Sequence, residues 1–245
     1  MSCYYLQKKS GGIILRLRVF AVLALFCFAG LAHGSFSIEP PMVILKTSMN
    51  ETMAWIDVVH NGNRPIGVEV SVLERELDLE GGVKSVTGLR PLQDFTVYPA
   101  QIILRPGERQ RVQVAYRGKQ KIAVDRAFTL LAREVPLPAV EEVEGVRVGV
   151  NLFLQYQSVL AFETGKAGSL TFVSSKDLGG GKVEVIVENK SQGRVSTEGL
   201  VLTVGRQKIR DFTGKGNSIM PGHQRRFTFE HPRALTAKEI SFGYR

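Results

Sequence analysis

Histidine is the first side chain to inspect for chemistry at neutral pH. This 245-residue chain has four, and His60, His223 and His231 lie beyond residue 34. His60 follows Asp57 by three positions, which on a strand turns the two side chains to opposite faces. His223 and His231 are eight apart, across an expected strand, and lack metal-ligand spacing. Both cysteines, Cys3 and Cys27, fall within the first 34 residues, so the rest of the chain has no disulfide, thiol nucleophile or thiolate metal site. No nucleophile elbow or zinc-protease helix is present. Gly179-Gly180-Gly181 reads as a hairpin loop, because no helix follows to supply an anion-binding terminus. The expectation is a non-enzyme with no catalytic residue, metal or cofactor. The spacing that does carry information is apolar: Val146, Val148, Val150, Leu152 and Leu154 recur at every second position. On a strand such a ladder points one way, into the protein's own core or toward something else.

The elements around the ladder are strands. After residue 34 there are short alternating runs divided by turn residues, the pattern of an all-β sandwich. Ala54, Ile56 and Val58 form one run and Ile66, Val68, Val70 and Val72 the next. Ile102 and Leu104 lead into the Pro106-Gly107 turn, followed by Val112, Val114 and Tyr116, then Phe128, Leu130 and the ladder. The pattern restarts at Leu170 and Phe172 and continues through Val183, Val185 and Val187, then Leu200, Leu202 and Val204, then Phe227 and Phe229, then Ile240, Phe242 and Tyr244. Pro106-Gly107-Glu108-Arg109-Gln110-Arg111-Val112 is echoed by Pro221-Gly222-His223-Gln224-Arg225-Arg226-Phe227, and Asn61 by Asn189. The reading is two tandem sandwiches, 35–157 and 158–245, with a linker at 158–162. Pro40-Pro41 places the first strand on an edge or at a switch between sheets, because proline donates nothing to a ladder. Trp55, the one tryptophan, is expected to pack within an early strand.

Residues 1–34 read as a cleavable export signal. Lys8, Lys9, Arg16 and Arg18 precede an apolar run over 19–29, and small residues stand at Ala32 and Gly34. The rival reading, a membrane anchor, needs about 20 apolar residues, more than this run offers. Losing the segment lowers the formal charge from +9 to +5. Export argues against reading that surface as a nucleic-acid footprint.

Leu104-Arg105-Pro106-Gly107, then Asp125-Arg126, an apolar strand, and Arg133-Glu134-Val135-Pro136 resemble, in order and spacing, the periplasmic pilus chaperones of the PapD type. The resemblance covers roughly residues 36–156, with the second half a looser match to that family's smaller domain. It implies two immunoglobulin-like sandwiches. It also implies a chaperone that lends its ladder, here Val146, Val148, Val150 and Leu152, to an incomplete pilus or fibre subunit and delivers it to an outer-membrane usher. Self-association of the free protein would hide the same ladder.

The family's two basic residues that hold the subunit's terminal carboxylate fall, by counting, on Met42 and Asn151, and neither is charged. Lys46 and Arg147 are the nearby substitutes. The acidic residue that bridges the domains in many relatives is Ala127 here. Two other readings stand beside this one: a structural or adhesive component of a surface fibre, and a carbohydrate-binding module stacking sugars on Trp55, Tyr98 or Tyr116.

Overall fold

The computed structural model describes residues 35–137, 153–210 and 216–244. Apart from a single 3-10 turn at Thr47–Met49, the regular structure described is strand. The first sandwich contains β1 (Phe36–Glu39), β2 (Met42–Lys46), β3 (Met53–His60), β4 (Ile66–Glu74), β5 (Phe95–Tyr98), β6 (Gln101–Leu104), β7 (Arg109–Tyr116), β8 (Arg126–Val135) and β9 (Gln155–Glu163). One sheet has the order β1-β3-β7-β5 and the other β2-β9-β8-β4-β6. β1 and β2 lie on edges of different sheets, so the chain changes sheets at Pro40-Pro41, where proline costs no ladder bond.

The alternating runs meet between the sheets. Ile56, Val58, Val112 and Val114 face Val68, Val70, Val72, Phe128, Leu130, Leu160 and Phe162. Phe128 stacks edge-on against Phe95 at 4.9 Å between centroids and against Phe162 at 6.0 Å. A third cluster lies on the outer side of the larger sheet, where Val86 and Leu89 of the long β4–β5 connection cover Leu73 and Leu131.

The second sandwich contains β10 (Leu170–Gly179), β11 (Lys182–Asn189), β12 (Val195–Ser196), β13 (Leu200–Val204), β14 (Gln207–Ile209), β15 (Ser218–Ile219), β16 (Gln224–Glu230) and β17 (Ile240–Tyr244). β10-β11-β16 faces β14-β13-β17, with β12 and β15 as a small pair. Gly179, Gly180 and Gly181 all have positive φ, which side chains disfavour, and join β10 to β11 as the expected hairpin.

The two sandwiches repeat one construction. β3 pairs with β7, and β11 pairs with β16. In both, a Pro-Gly turn with glycine at φ 78 or 76 opens the second strand. The strand before it ends by donating to that turn: His60 N–H to the Glu108 carbonyl at 2.9 Å, and Asn189 N–H to the His223 carbonyl at 3.0 Å. The partner of Asn189 is therefore His60 and not Asn61, a one-residue correction to the echo. Both are buried and locally bonded. His60 Nδ1 accepts from Gly62 N–H at 2.8 Å, so Nε2 carries the proton it donates to the Arg64 carbonyl at 2.7 Å. His60 thus closes a turn.

Two expectations are overturned. Trp55 is 51% exposed: Ile56 and Val58 face the core, so strand alternation sends Trp55 outward beside Met53. Residues 158–162 are strand and not linker. They lie within β9, paired with β8 on one side and β2 on the other, and the chain leaves the first sandwich after Glu163.

The connection from β16 to β17 is held by Glu239, whose carboxylate takes Arg233 and the N–H and hydroxyl of Thr236, both at 2.8 Å. The Arg233 guanidinium, then the Thr236 bonds, lower its pKa from 4.5 to about 2. A depressed carboxyl contributes stability above its ordinary pKa and loses it as pH falls toward the depressed one. The Glu239 titration followed by NMR should have its midpoint near 2, and Arg233→Ala should raise it toward 4.5. An ordinary midpoint in the parent protein would mean that the ion pair does not form in solution.

Candidate functional site

The ladder residues Val146, Val148, Val150 and Leu152, together with Arg147 and Asn151, lie outside the described residues. What is described is the strand they lead into. β9 pairs antiparallel with β8 along its whole length, from Arg133↔Gln155 to Arg126↔Phe162. On its other side β2 runs parallel to it, starting only at Met42↔Val159 and ending at Lys46↔Glu163. Residues Gln155, Tyr156, Gln157 and Ser158 therefore have a strand on one side and, among the described residues, none on the other. Ser158 is itself buried, its hydroxyl donating to the Pro41 carbonyl at 2.6 Å. The open edge continues into Phe153 and Leu154, exposed apolar residues that directly follow the ladder. An open edge of this kind presents unpaired N–H and C=O groups to any further strand.

Beside this edge the outward row of β2 is Met42, Ile44 and Lys46, because Val43 and Leu45 point into the core. Met42 and Ile44 are large exposed apolar residues. The neighbour of Met42 in register is Val159, so this point of the surface is apolar on both strands. Lys46 is on the same outward row, about 13 Å further along at ~3.3 Å per residue. It makes no ion pair among the described residues.

At the other end of β9 the two sandwiches are joined by polar groups. Asp125, only 4% exposed, accepts at Oδ1 from the Thr164 N–H and hydroxyl, both at 2.7 Å, and at Oδ2 from Arg194 N–H at 2.9 Å. Its own N–H donates to the Gln192 carbonyl at 2.9 Å. The Glu163 carboxylate lies 2.9 Å from Arg194 Nε, and Lys166 Nζ donates to Ala123 and Gln192. A second junction comes from the β4–β5 connection, where Leu79 carbonyl accepts from Arg226 N–H at 2.7 Å and Glu80 pairs with the Arg226 guanidinium at 2.7 Å. The bridging charge missing at Ala127 is thus supplied by Asp125, Glu163 and Glu80. Arg126, the other half of the Asp-Arg motif, pairs with Glu74 and covers the Phe128 ring at 4.8 Å. Arg133 pairs with Glu69 at 2.6 Å.

Sequence reasoning did not find the Asp125 acceptor role, because its donors come from residues 39 and 69 positions away. Among the described residues no cluster of three or more His, Cys, Asp and Glu side chains could hold a metal ion.

No family model and no curated protein matches this sequence. Its fold does match solved structures. The chain is similar to the E. coli chaperone DraB, with a TM-score of 0.51 and 15% identity over 82% of this chain and 87% of that one. It is similar to the YadV chaperone, with a TM-score of 0.53 and 13% identity over 86% of this chain and 100% of that one. A chain from the complex of the Salmonella enterica SafA pilin with the SafB chaperone gives 0.51 and 19%, over 83% and 86%. The fold is the paired immunoglobulin-like sandwich of the pilus chaperones.

Proposed function

We propose that the protein is a divergent periplasmic chaperone of the PapD type, which holds pilus or fibre subunits by lending them a strand and passes them to an outer-membrane usher. The observation that carries this reading is the open edge of β9 at residues 155–158, continuous with the alternating ladder. Strand addition draws affinity from main-chain hydrogen bonds and selectivity from pockets for alternate side chains. Burying Val146, Val148, Val150 and Leu152 at about 1.5–3 kcal/mol each gives roughly 6–12 kcal/mol gross, from which ordering and association costs are subtracted. Such a contact holds an incomplete sandwich and still yields to a better-fitting strand.

The position of the family's anchor is apolar here, at Met42 and Val159, so the client's carboxylate end would sit about 13 Å further along β2, beside Lys46. Lys46, unpaired and on the same outward row, is the described cation we assign to it, and Arg147 is the other substitute. A charge-assisted bond to a carboxylate is among the stronger polar contacts. The apolar position itself favours one alternative, a structural or adhesive fibre component that anchors no carboxylate. Fractionation separates them: a chaperone stays in the periplasm and a fibre component leaves with the cell surface.

The deciding experiment replaces Val148 and Val150 together with aspartate and follows an incomplete-sandwich subunit produced beside the protein. Loss of co-purification and degradation of the subunit are the expected result. Full protection of the client by the folded double variant would overturn the reading.

A further inference from the structure

The aromatic side chains of the first sandwich divide into two sets. Tyr116 belongs to the core: its ring meets Phe95 and Phe162 edge-on, and its hydroxyl donates to the Gln120 carbonyl at 2.8 Å. Trp55 and Tyr98 are 51% and 72% exposed, and among the described residues neither makes a hydrogen bond, a ring contact or a cation–π contact. Register brings these two together. Trp55 of β3 pairs with Gln113 of β7, and Gln113 pairs with Tyr98 of β5. Each alternates with a core-facing neighbour, Ile56, Val112 or Val97, so the three stand in one row across the outer face of the smaller sheet. Two strand spacings set the aromatics ~9.6 Å apart. Gln113, between them, donates Nε2 to Met53 Sδ, and its Oε1 accepts nothing among the described residues. The neighbouring row on the same face is Glu39, Asp57 and Arg111. There Arg111 Nε donates to Asp57 at 3.0 Å, and its terminal nitrogens donate to nothing among the described residues.

We infer that this row is a glycan-binding face, which takes an extended chain of β-1,4-linked hexoses across the sheet. Such a chain turns each sugar over relative to the last, so the same face returns at every second residue, close to the separation of Trp55 and Tyr98. The C–H face of a pyranose packs on an aromatic ring by dispersion and by attraction to the ring's negative face. The sugar between the two stacked ones lies over Gln113, whose free oxygen accepts from a hydroxyl. Arg111, two residues along β7 and ~6.8 Å away, offers donors at the side. A protein partner fits this face less well. The exposed parts of Trp55, Tyr98 and Met53 come to roughly 350 Å² at ~200 Å² for a large side chain, under half of the ~800 Å² that each partner buries in a stable protein contact. A sheet face also offers no edge for strand addition. The inference is independent of the strand-lending reading, which concerns β9 in the other sheet.

Trp55, the one tryptophan, reports directly on the site. Cellohexaose and chitohexaose are titrated into the protein while its emission is recorded. A saturable blue shift with one or both is the expected result, with none from maltohexaose, whose α-linked chain coils and does not repeat a face at this spacing. Tyr98→Ala should weaken binding by about tenfold or more, with an unchanged circular dichroism spectrum. The same variant should protect a pilus subunit in full, so failure of this inference and failure of the chaperone reading are told apart. Trp55→Phe, followed by calorimetry, should keep most of the affinity because a ring remains. No binding of either hexasaccharide at millimolar concentration, or binding that Tyr98→Ala leaves unchanged, would overturn the inference. A Trp55 shift caused by a subunit or an usher and by no hexasaccharide would assign the face to a protein and overturn it equally.

Discussion

Asp125→Ala is expected to destabilise the protein by about 3–5 kcal/mol and to separate one unfolding transition into two. The carboxylate is buried and accepts three hydrogen bonds, two from Thr164 and one from Arg194. Removing it leaves two backbone N–H groups and a hydroxyl without their acceptor, at roughly 1–3 kcal/mol for each unpaired group. The donors belong to the crossing and to the second sandwich, so the loss falls on the joint and not within either core. Chemical denaturation read separately from the Trp55 fluorescence of the first sandwich and from total circular dichroism should no longer coincide. Coincident transitions with a loss below about 1 kcal/mol would show that water replaces the carboxylate without cost.

Asn189→Ala is expected to cost a similar amount, about 3–5 kcal/mol, but within the second sandwich alone. Asn189 is fully buried. Its amide nitrogen donates to the Gly193 carbonyl at 2.8 Å and the Ile219 carbonyl at 2.9 Å, and its oxygen accepts from the N–H and hydroxyl of Ser191. It closes the turn after β11 and ties that turn to β15. Alanine abandons the buried Ile219 carbonyl and the partly covered Ser191 N–H. Thermal melting should fall while the Trp55 signal at low denaturant stays unchanged. Asn189→Asp would spare the acceptor bonds but turn a buried carboxylate oxygen toward the Gly193 and Ile219 carbonyls, so it should cost at least as much as alanine.

Much of this architecture was legible because half-buried strands alternate. The runs through Ile56, Val70, Val112, Val185 and Phe227 are strands in the structure, with those residues inward. The same alternation carried the signal for Trp55, which sits out of phase with Ile56 and Val58 and therefore faces solvent. Its size suggested burial, and the phase was the better guide. β9 was cut short because Leu160, Ala161 and Phe162 are consecutively buried, which erases the period of two that marks a one-faced strand. The β4–β5 connection has no periodicity to read, yet Val86 and Leu89 cover the outer face of a sheet and Glu80 reaches Arg226. At the site, the apolar ladder was visible as a pattern. The shorter β2 that exposes the start of β9 was not, since a difference in length between two paired strands exists only once they are paired.

The two sandwiches are joined by one covalent crossing, and the β4–β5 connection adds a second attachment at Leu79 and Glu80, well away along the chain from Asp125. A body fastened at two separate points cannot swing about either one. The pair should behave as a single bracket whose opening angle is fixed before any client arrives, so that the scattering profile of the lone protein already has the shape it keeps under load. Weakening the second fastening by Glu80→Ala, which removes the Arg226 ion pair and leaves the Leu79 backbone bond, should loosen the bracket and broaden that profile without unfolding either half.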